Sequence, residues 1–251
     1  MSRDLVDIHC HLLPGIDDGA KDIADSAALL QRELEDGVVG IVFTPHFYYE
    51  RNTVDRFVEN RKKAFQQVAA YAKEQQLPLA AKLGAEIYFT PALPSLPLEK
   101  LCFAGTKYLL MELPTTHHPS GIEEVFYGIR QKGYIPILAH VERYPYVTED
   151  PTLLYNWVSS GILAQINAAG VIRGGHTGKL LQKYINWNLV HLISTDAHSL
   201  DRRPPNLKAG YDALPDEVGD AFLKNAVRVF LGKDCYPPEP QKPVYRFGHW
   251  V

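Results

Sequence analysis

The sequence has few cysteines and lacks a long apolar run. The three cysteines, Cys10, Cys102 and Cys235, are odd in number and widely spaced. Such a set argues against a disulfide framework and is typical of a reducing compartment, so we expect a cytoplasmic protein. Acidic Asp4 and Asp7 interrupt the N-terminal stretch, so we expect no signal peptide. Because no apolar run approaches the roughly 18 to 20 residues that span a bilayer, we expect no membrane insertion.

The sequence also lacks an excess of charge of one sign. Its 26 basic and 29 acidic residues leave a net charge of −3, which gives no support for a nucleic-acid partner. A hydrophobic fraction of 46% and a charged fraction of 22% are ordinary for a globular protein with a sizeable core.

Three common catalytic motifs are missing. None of the cysteines is followed, six positions later, by the arginine that a cysteine-based phosphatase needs. The stretch GGHTGK is similar to a phosphate-binding loop, but Arg173 replaces its first glycine and Leu180 replaces its metal-binding Ser or Thr. A GxSxG elbow is absent, which argues against a serine hydrolase.

Short β-branched runs alternate with longer amphipathic stretches along the chain. The predicted strands are Leu5–Cys10, Val38–Phe43, Leu79–Tyr88, Tyr108–Glu112, Ile135–Ala139, Ile162–Ile166 and Val190–Ser194. The predicted helices are Asp25–Asp36, Val54–Gln76, Ile122–Lys132, Leu153–Ser160, Lys179–Trp187 and Asp216–Phe230. This alternation predicts an α/β fold with a parallel sheet and outer helices. Seven strands without a linker favour a closed barrel over an open sheet.

We therefore expect a single domain over residues 1–251, with a proline-rich C-terminal tail over residues 235–251. The tail cannot be helical throughout because of its prolines. Its aromatic residues Tyr245, Phe247 and Trp250 favour docking on the body or on a neighbouring subunit.

Histidine or carboxylate residues occupy the ends of six of the seven predicted strands, and Asn167 ends the remaining one. In a barrel of βα units, functional side chains come from the C-terminal ends of strands, so these residues are expected to converge. They are His9, His11, His46, Glu86, Glu112, His140, Asp196 and His198.

The first of these strand ends carries a two-residue spacing. His9 and His11 would share one face of a strand and could chelate one ion, whereas Cys10 would point into the core. Asp7 would share the histidine face and orient an imidazole. Either Asp17 or Asp18, in the loop that follows, could supply an oxygen ligand.

A mixed set of histidine and carboxylate ligands suits manganese, iron or zinc. Four carboxylates facing three divalent ions leave a surplus of positive charge, which favours a bridging hydroxide and an anionic substrate. This pattern is typical of phosphoester hydrolysis by several metal ions. Arg143, Arg202 and Arg203 are candidate phosphate-binding residues, since a guanidinium matches phosphate geometry.

The motifs DIHCHLLPGIDDGA, TPHF, GAEIY, MELP, AHVERY and STDAHS, in this order, resemble the polymerase and histidinol phosphatase (PHP) superfamily over about residues 5 to 203. More narrowly, they resemble its bacterial capsule-type protein tyrosine phosphatases. The resemblance implies a distorted, TIM-like (β/α)7 barrel with three ions, most often manganese. It also implies that the substrate is phosphotyrosine on a tyrosine kinase that controls exopolysaccharide synthesis, and it leaves a homo-oligomer open.

Carried over motif by motif, the resemblance implies a ligand set for each ion. His9, His11, Glu86 and Asp196 would hold the first; Glu86, Glu112 and His140 the second; and Asp18, His46 and His198 the third. It also matches Arg143, with Arg202 or Arg203, to the phosphate-binding arginines of the family.

Three other functions stay open at this stage. A small-molecule phosphatase, such as one for histidinol phosphate, would use the same scaffold and ions. Phe47, Tyr48 and Tyr49 could stack on a phosphotyrosine ring, but aromatic loop residues often only pack. A non-catalytic PHP-like module that binds metal or a partner, and a metal-dependent amidohydrolase, are the remaining alternatives.

Overall fold

In the computed structural model, which describes residues 4–251, parallel strands alternate with helices along most of the chain. The strands are β1 (Leu5–Cys10), β2 (Val38–Phe43), β3 (His46–Phe47), β4 (Ala80–Leu83), β5 (Glu86–Tyr88), β6 (Tyr108–Glu112), β7 (Ile135–Leu138), β8 (Leu163–Asn167), β9 (Leu192–Ser194), β10 (Tyr245–Arg246) and β11 (His249–Trp250). The helices are α1 (Ile23–Glu35), α2 (Val54–Glu74), α3 (Ile122–Gln131), α4 (Pro145–Glu149), α5 (Thr152–Ser159), α6 (Ala168–Arg173), α7 (Gly175–Asn186), α8 (Leu207–Asp212) and α9 (Asp216–Phe230).

The strands β1 to β9 form two parallel sheets. One has the order β1-β2-β4, and the other has the order β3-β5-β6-β7-β8-β9. Each ladder within these sheets is parallel, and a helix lies between most consecutive strands. The predicted α/β architecture with a parallel sheet and outer helices is therefore confirmed.

The prediction of one continuous third strand over Leu79–Tyr88 is wrong. The segment divides at Gly84 into β4, which pairs with β2, and β5, which pairs with β3 and β6. Pro45, opposite the break, has no N–H for a ladder. A side chain at Gly84 would lie 2.6 Å from the Phe103 ring, so only glycine fits there. Because of this break, β5, which begins with Glu86, belongs to the larger sheet.

The first strand contains an irregularity that changes which side its residues face. Asp7 pairs with Ile41 and Cys10 pairs with Phe43, so three steps along β1 match two along β2. One extra residue of this kind is a β-bulge, which reverses the in-out alternation beyond it. The prediction that Asp7 shares a face with the histidines is therefore wrong.

Backbone hydrogen bonds also join the end of β1 to the residues that follow β9. The Asp196 N–H donates to the His9 carbonyl at 2.9 Å, and the His11 N–H donates to the Ala197 carbonyl at 2.8 Å. A compact apolar cluster contains side chains from strands of both sheets, including Ile8 of β1, Val42 of β2 and Leu110 of β6. The two sheets thus share one buried interior.

Helix boundaries follow local capping. The α1 helix begins two residues before the predicted start, because the Asp22 carboxylate accepts hydrogen bonds from the N–H groups of Ala24 and Asp25. The α7 helix begins four residues early, at Gly175, so the glycine-rich stretch is largely helical. None of the helices formed by residues 4–251 combines the length and apolarity that a bilayer crossing needs.

The C-terminal tail ends in a hairpin of β10 and β11 that contacts the body of the molecule. The Trp250 indole donates to the Glu149 carbonyl at 3.0 Å, and the Lys183 ammonium donates to the Trp250 carbonyl at 2.8 Å. Phe247, at the hairpin turn, is 96% exposed.

Candidate metal centre

Nine histidine and carboxylate side chains meet at one end of the parallel strands. All nine of the ligands expected from the sequence lie in or beside this cluster: His9, His11, Asp18, His46, Glu86, Glu112, His140, Asp196 and His198. Most are buried, and Asp18 is the exposed member, with 63% of its side chain accessible. The arrangement results from the strand ends together with the break between β4 and β5.

The deepest group consists of His9, His11, Glu86 and Asp196, all of them buried. The Nε2 atom of His9 lies 3.3 Å from a Glu86 oxygen and 3.4 Å from Asp196 Oδ1. The Nε2 atom of His11 lies 3.2 Å and 3.5 Å from the same two carboxylates. Ligands bound at about 2.0 to 2.2 Å from one ion are separated from each other by about 3.0 to 3.5 Å. The spacing therefore fits a shared ion.

A second group contains His11, Asp18, His46 and His198. Asp18 Oδ1 lies 3.4 Å from the Nε2 atoms of both His46 and His198. Asp17 instead accepts a hydrogen bond from the His11 Nδ1 atom at 2.8 Å and from the His46 N–H at 3.0 Å. The geometry thus favours Asp18 as the loop ligand and leaves Asp17 to orient His11.

The third group contains His46, Glu86 and Glu112. His46 Nδ1 lies 2.9 Å from Glu86 and 3.9 Å from Glu112. His140 Nε2 lies 3.0 Å from Glu86 and 3.7 Å from Glu112, which places it beside the same two carboxylates. Glu86 therefore contacts four imidazoles and belongs to two of the three groups.

Several buried atoms of the cluster face each other without forming hydrogen bonds. Glu86 Oε2, Asp196 Oδ1 and His198 Nε2 have no hydrogen-bond partner, although charged groups lie within 3.5 Å. A buried ionic group without a partner is costly. These atoms are close but poorly aligned for hydrogen bonds, as expected of ligands aimed at a common point. The residues thus fit divalent metal ions.

Carboxylates outweigh burial at two imidazoles of the cluster, His11 and His46. Burial alone would lower the pKa of an imidazole, but Asp17 and Glu86 raise the pKa of His11 to about 9. Asp18 and Glu86 likewise outweigh burial and raise the pKa of His46 to about 12. Although burial opposes it, the surrounding imidazoles hold the pKa of Glu86 well below its usual range. The carboxylates Asp17, Asp18 and Glu86 therefore stabilise positive charge beside them.

Two of the three candidate arginines reach the cluster. Arg143 Nη2 lies 2.6 Å from Asp196 Oδ2, and Arg203 contacts Asp196 at 3.3 Å and Asp18 at 3.2 Å. Both guanidiniums are about one third exposed, so they border the solvent-facing side. Arg202 is exposed, and its backbone N–H donates to Ser199 Oγ at 3.2 Å. The structure thus favours Arg203 over Arg202 as the second phosphate-binding candidate, a choice that the sequence left open.

Asp7 does not orient an imidazole in the expected way. Its carboxylate accepts hydrogen bonds from the backbone N–H groups of His9 and Thr195 and from the Thr195 hydroxyl. Asp7 therefore fixes the backbone at the ends of β1 and β9. The residue that contacts the His9 Nδ1 atom is Gln165 of β8, at 3.0 Å. Sequence reasoning missed Gln165, although it lies two residues before Asn167, on the same side of β8.

The aromatic residues after β3 differ in their environments. Phe47 is buried in the core and Tyr49 is exposed, whereas Tyr48 is partly buried, with its ring 5.5 Å from that of His46 and 5.3 Å from that of Tyr88. A cavity of about 530 Å³ beside Asp18 and His46 is lined in part by Tyr48. Tyr48 therefore borders both the cluster and this cavity.

The fold and the cluster together define an α/β protein with a site of histidines and carboxylates that fits metal ions. Residues 5–230 match the family of capsular polysaccharide synthesis proteins CpsB/CapC. The chain belongs to this family, which confirms the resemblance to capsule-type proteins.

Individual relatives extend over nearly the whole chain. The tyrosine-protein phosphatase YwqE of Bacillus subtilis (strain 168) is 31% identical over 256 residues, covering 97% of this chain and 99% of YwqE. The putative tyrosine-protein phosphatase CapC of Staphylococcus aureus is 33% identical over 244 residues, covering 91% and 92%.

A solved structure agrees in fold. It comes from a crystallographic study of YwqE from Bacillus subtilis and CpsB from Streptococcus pneumoniae, described as unique metal-dependent tyrosine phosphatases. It superposes with a TM-score of 0.88 at 30% identity, covering 96% of this chain and 100% of that chain.

Proposed function

We propose that this chain is a metal-dependent protein tyrosine phosphatase, a phosphoric monoester hydrolase. Its substrate would be phosphotyrosine, on a bacterial tyrosine kinase that regulates capsule or exopolysaccharide synthesis. The observation that carries the proposal is the set of three adjoining ligand groups, two of which share Glu86, with Arg143 and Arg203 on the solvent side. The names of the relatives support the same activity.

The proposal includes three ions, with manganese as the first choice and iron or zinc as alternatives. The first ion is assigned to His9, His11, Glu86 and Asp196, the second to Glu86, Glu112 and His140, and the third to Asp18, His46 and His198. Divalent ions bound there supply a water of lowered pKa and neutralise phosphoryl oxygens.

The chain's own residues bind and orient the phosphoester. A guanidinium carries five N–H donors, and Arg143 and Arg203 use only part of theirs on Asp196 and Asp18. The remaining donors are available for phosphate oxygens. The Tyr48 ring, which lines the cavity beside Asp18 and His46, would contact the substrate ring, and Arg51 lies 4.7 Å above one of its faces. Because tyrosinate leaves more readily than an alkoxide, the chain needs little general-acid assistance.

We further propose that the two sheets close into a distorted, TIM-like (β/α)7 barrel that forms a single domain over residues 1–251, including the tail at 235–251. The hydrogen bonds between the ends of β1 and β9 and the shared apolar cluster support this closure. Slow amide exchange is expected at His11 and Asp196, whose N–H groups form those bonds.

The proposed compartment is the cytoplasm, since Cys10, Cys102 and Cys235 are unpaired. A homo-oligomer would use the exposed hairpin turn at Phe247. A Phe247→Ser variant that sediments as the wild type would argue against that contact.

The activity is tested with purified protein whose bound ions are measured. We expect phosphate release from a phosphotyrosine peptide and much slower release from a phosphoserine peptide and from histidinol phosphate. His9→Ala and Asp196→Ala should abolish it, whereas His249→Ala, at an exposed tail position, should not. Failure of the ion-loaded protein to cleave any substrate refutes the phosphatase assignment, and a preference for histidinol phosphate would favour the small-molecule alternative.

A further inference from the structure

A pair of buried amides on β8 lies behind the proposed metal ligands. The ends of the other strands next to the cluster contribute histidines or carboxylates, whereas β8 contributes Gln165 and Asn167, with 0% and 3% exposure. Buried amides of this kind need defined partners for both the oxygen and the nitrogen. Their partners include three of the proposed ligands.

The orientation of the Gln165 amide is fixed by backbone groups. One end lies 3.0 Å from the His140 backbone N–H, which can only donate, so this end is the oxygen. The other end lies 2.6 Å from the Ile166 carbonyl, which can only accept, so this end is the nitrogen. The two assignments agree and exclude a flipped amide.

This orientation determines which nitrogen of His9 carries the proton. The same Gln165 oxygen lies 3.0 Å from His9 Nδ1, so Nδ1 must donate. A neutral imidazole protonated at Nδ1 has its lone pair on Nε2. Nε2 is the His9 atom that faces Glu86 and Asp196. Gln165 therefore presents His9 in the form that binds a cation.

The same amide holds His140 in an unusual backbone conformation. His140 has a φ of 32°, in the left-handed region that residues with a side chain rarely adopt. Its backbone N–H donates to Gln165, while its Nε2 atom lies 3.0 Å from Glu86. One side chain thus supports two ligands that the proposed function assigns to different ions.

Asn167 continues the chain of hydrogen bonds to a third ligand. Its oxygen accepts from the Gln165 nitrogen at 2.8 Å, so its nitrogen donates to Asp196 Oδ2, at 3.0 Å. Arg143 and Arg203 contact this same oxygen. The other oxygen, Oδ1, has no hydrogen-bond partner and faces the imidazoles of His9 and His11.

We propose that Gln165, together with Asn167, is a positioning residue for the metal centre, which fixes the His9 tautomer, the His140 backbone and the free oxygen of Asp196. The inference rests on the proposed function, because it requires that the cluster hold ions. Substitution of residues that orient metal ligands typically lowers ion affinity by about 10- to 100-fold. We expect a loss in that range for Gln165→Leu, which removes the oxygen while keeping similar bulk.

The test measures ion affinity by competition with a chelator and thermal stability of the ion-free protein. Gln165→Leu should bind at least one ion about 10- to 100-fold more weakly, and Gln165→Glu, which keeps an acceptor for His9, should recover part of that loss. Gln182→Leu, at an exposed amide on α7, is the matched control and should bind as the wild type does. If Gln165→Leu does not fold, Asn167→Ala is used in its place. It removes the hydrogen bond to Asp196 and should also weaken ion binding.

A spectroscopic readout separates positioning from general stability. In zinc-loaded wild-type protein, nitrogen NMR of His9 should show a protonated, slowly exchanging Nδ1 and a zinc-bound Nε2. That Nδ1 proton should exchange faster in Gln165→Leu. If the wild type binds ions, and Gln165→Leu shows the same ion affinity and the same His9 signal as the wild type, this inference is overturned but the proposed function is not. A wild type that binds no ion instead refutes the proposed function as well.

Discussion

The arginines beside the cluster give the sharpest functional prediction, because the chain carries its own matched control. Arg143 and Arg203 lie within 3.3 Å of Asp196, whereas Arg202, next to Arg203 in the chain, is exposed and its backbone N–H donates to Ser199. We expect Arg143→Ala and Arg203→Ala to lower kcat/KM for a phosphotyrosine peptide, and Arg202→Ala to change it by less than about twofold, as is usual for surface positions.

The magnitude follows from the hydrogen bonds that each guanidinium can form. A hydrogen bond to a charged group contributes about 1.5 to 3 kcal/mol net. Since 1.4 kcal/mol corresponds to a factor of ten, the full range is about 10- to 150-fold. Arg143 and Arg203 are about one third exposed, and solvent screens their charge. We therefore expect a loss of about 10- to 50-fold for each.

The assay must separate phosphate binding from ion binding. Arg143 also contacts Asp196, a proposed ligand, so bound ions are measured in each variant. The inhibition constant for inorganic phosphate should rise with the loss of kcat/KM, while the ion content stays at the wild-type level. Arg143→Lys should restore only part of the activity, because an ammonium lacks the planar pair of donors. Equal losses in Arg202→Ala and Arg143→Ala would show that Arg143 has no special role in binding phosphate.

Three other changes test separate parts of the account. Tyr48→Ala, which removes a ring-stacking contact of about 1 kcal/mol, should lower kcat/KM about fivefold for a phosphotyrosine peptide but not for a small alkyl phosphate; equal losses on both would contradict a ring contact. Chelation should lower the melting temperature, since ions at 100 times their Kd stabilise by about 2.7 kcal/mol; calorimetry with and without chelator measures this. Burial lowers the pKa of His191 to about 4. Because an unfolded histidine has a pKa of about 6.5, the unfolded chain binds a proton at this position between about pH 6.5 and pH 4, whereas the folded chain does not. Unfolding free energy should therefore fall by up to about 3 kcal/mol between pH 6.5 and pH 4, and denaturant titrations of chelated His191→Gln should lack that part of the slope.

Much of the candidate site was predictable from the sequence because its signals are local. The two-residue spacing of His9 and His11, and the position of Asp196 and His198 after the last strand, follow from strand geometry and chain order alone. Parallel strands bring their C-terminal ends to one edge, so the residue types at those ends indicate a shared site. The structure places all nine expected ligands in or beside one cluster.

Other features depend on contacts between distant parts of the chain. The bulge that turns Asp7 away from the histidines is visible only in the pairing of β1 with β2. The break at Gly84 follows from close packing against Phe103. Gln165 was missed because an amide has no metal-binding signature, and its role depends on groups 25 and 156 residues away.

The metal dependence of the proposed activity is measured as phosphate release from a phosphotyrosine peptide while ions are returned to fully chelated protein. We expect no release from the ion-free protein and a recovery that saturates as the sites around Glu86 fill. Release at the full rate from protein verified to be ion-free, or none from protein verified to be loaded, would contradict this expectation.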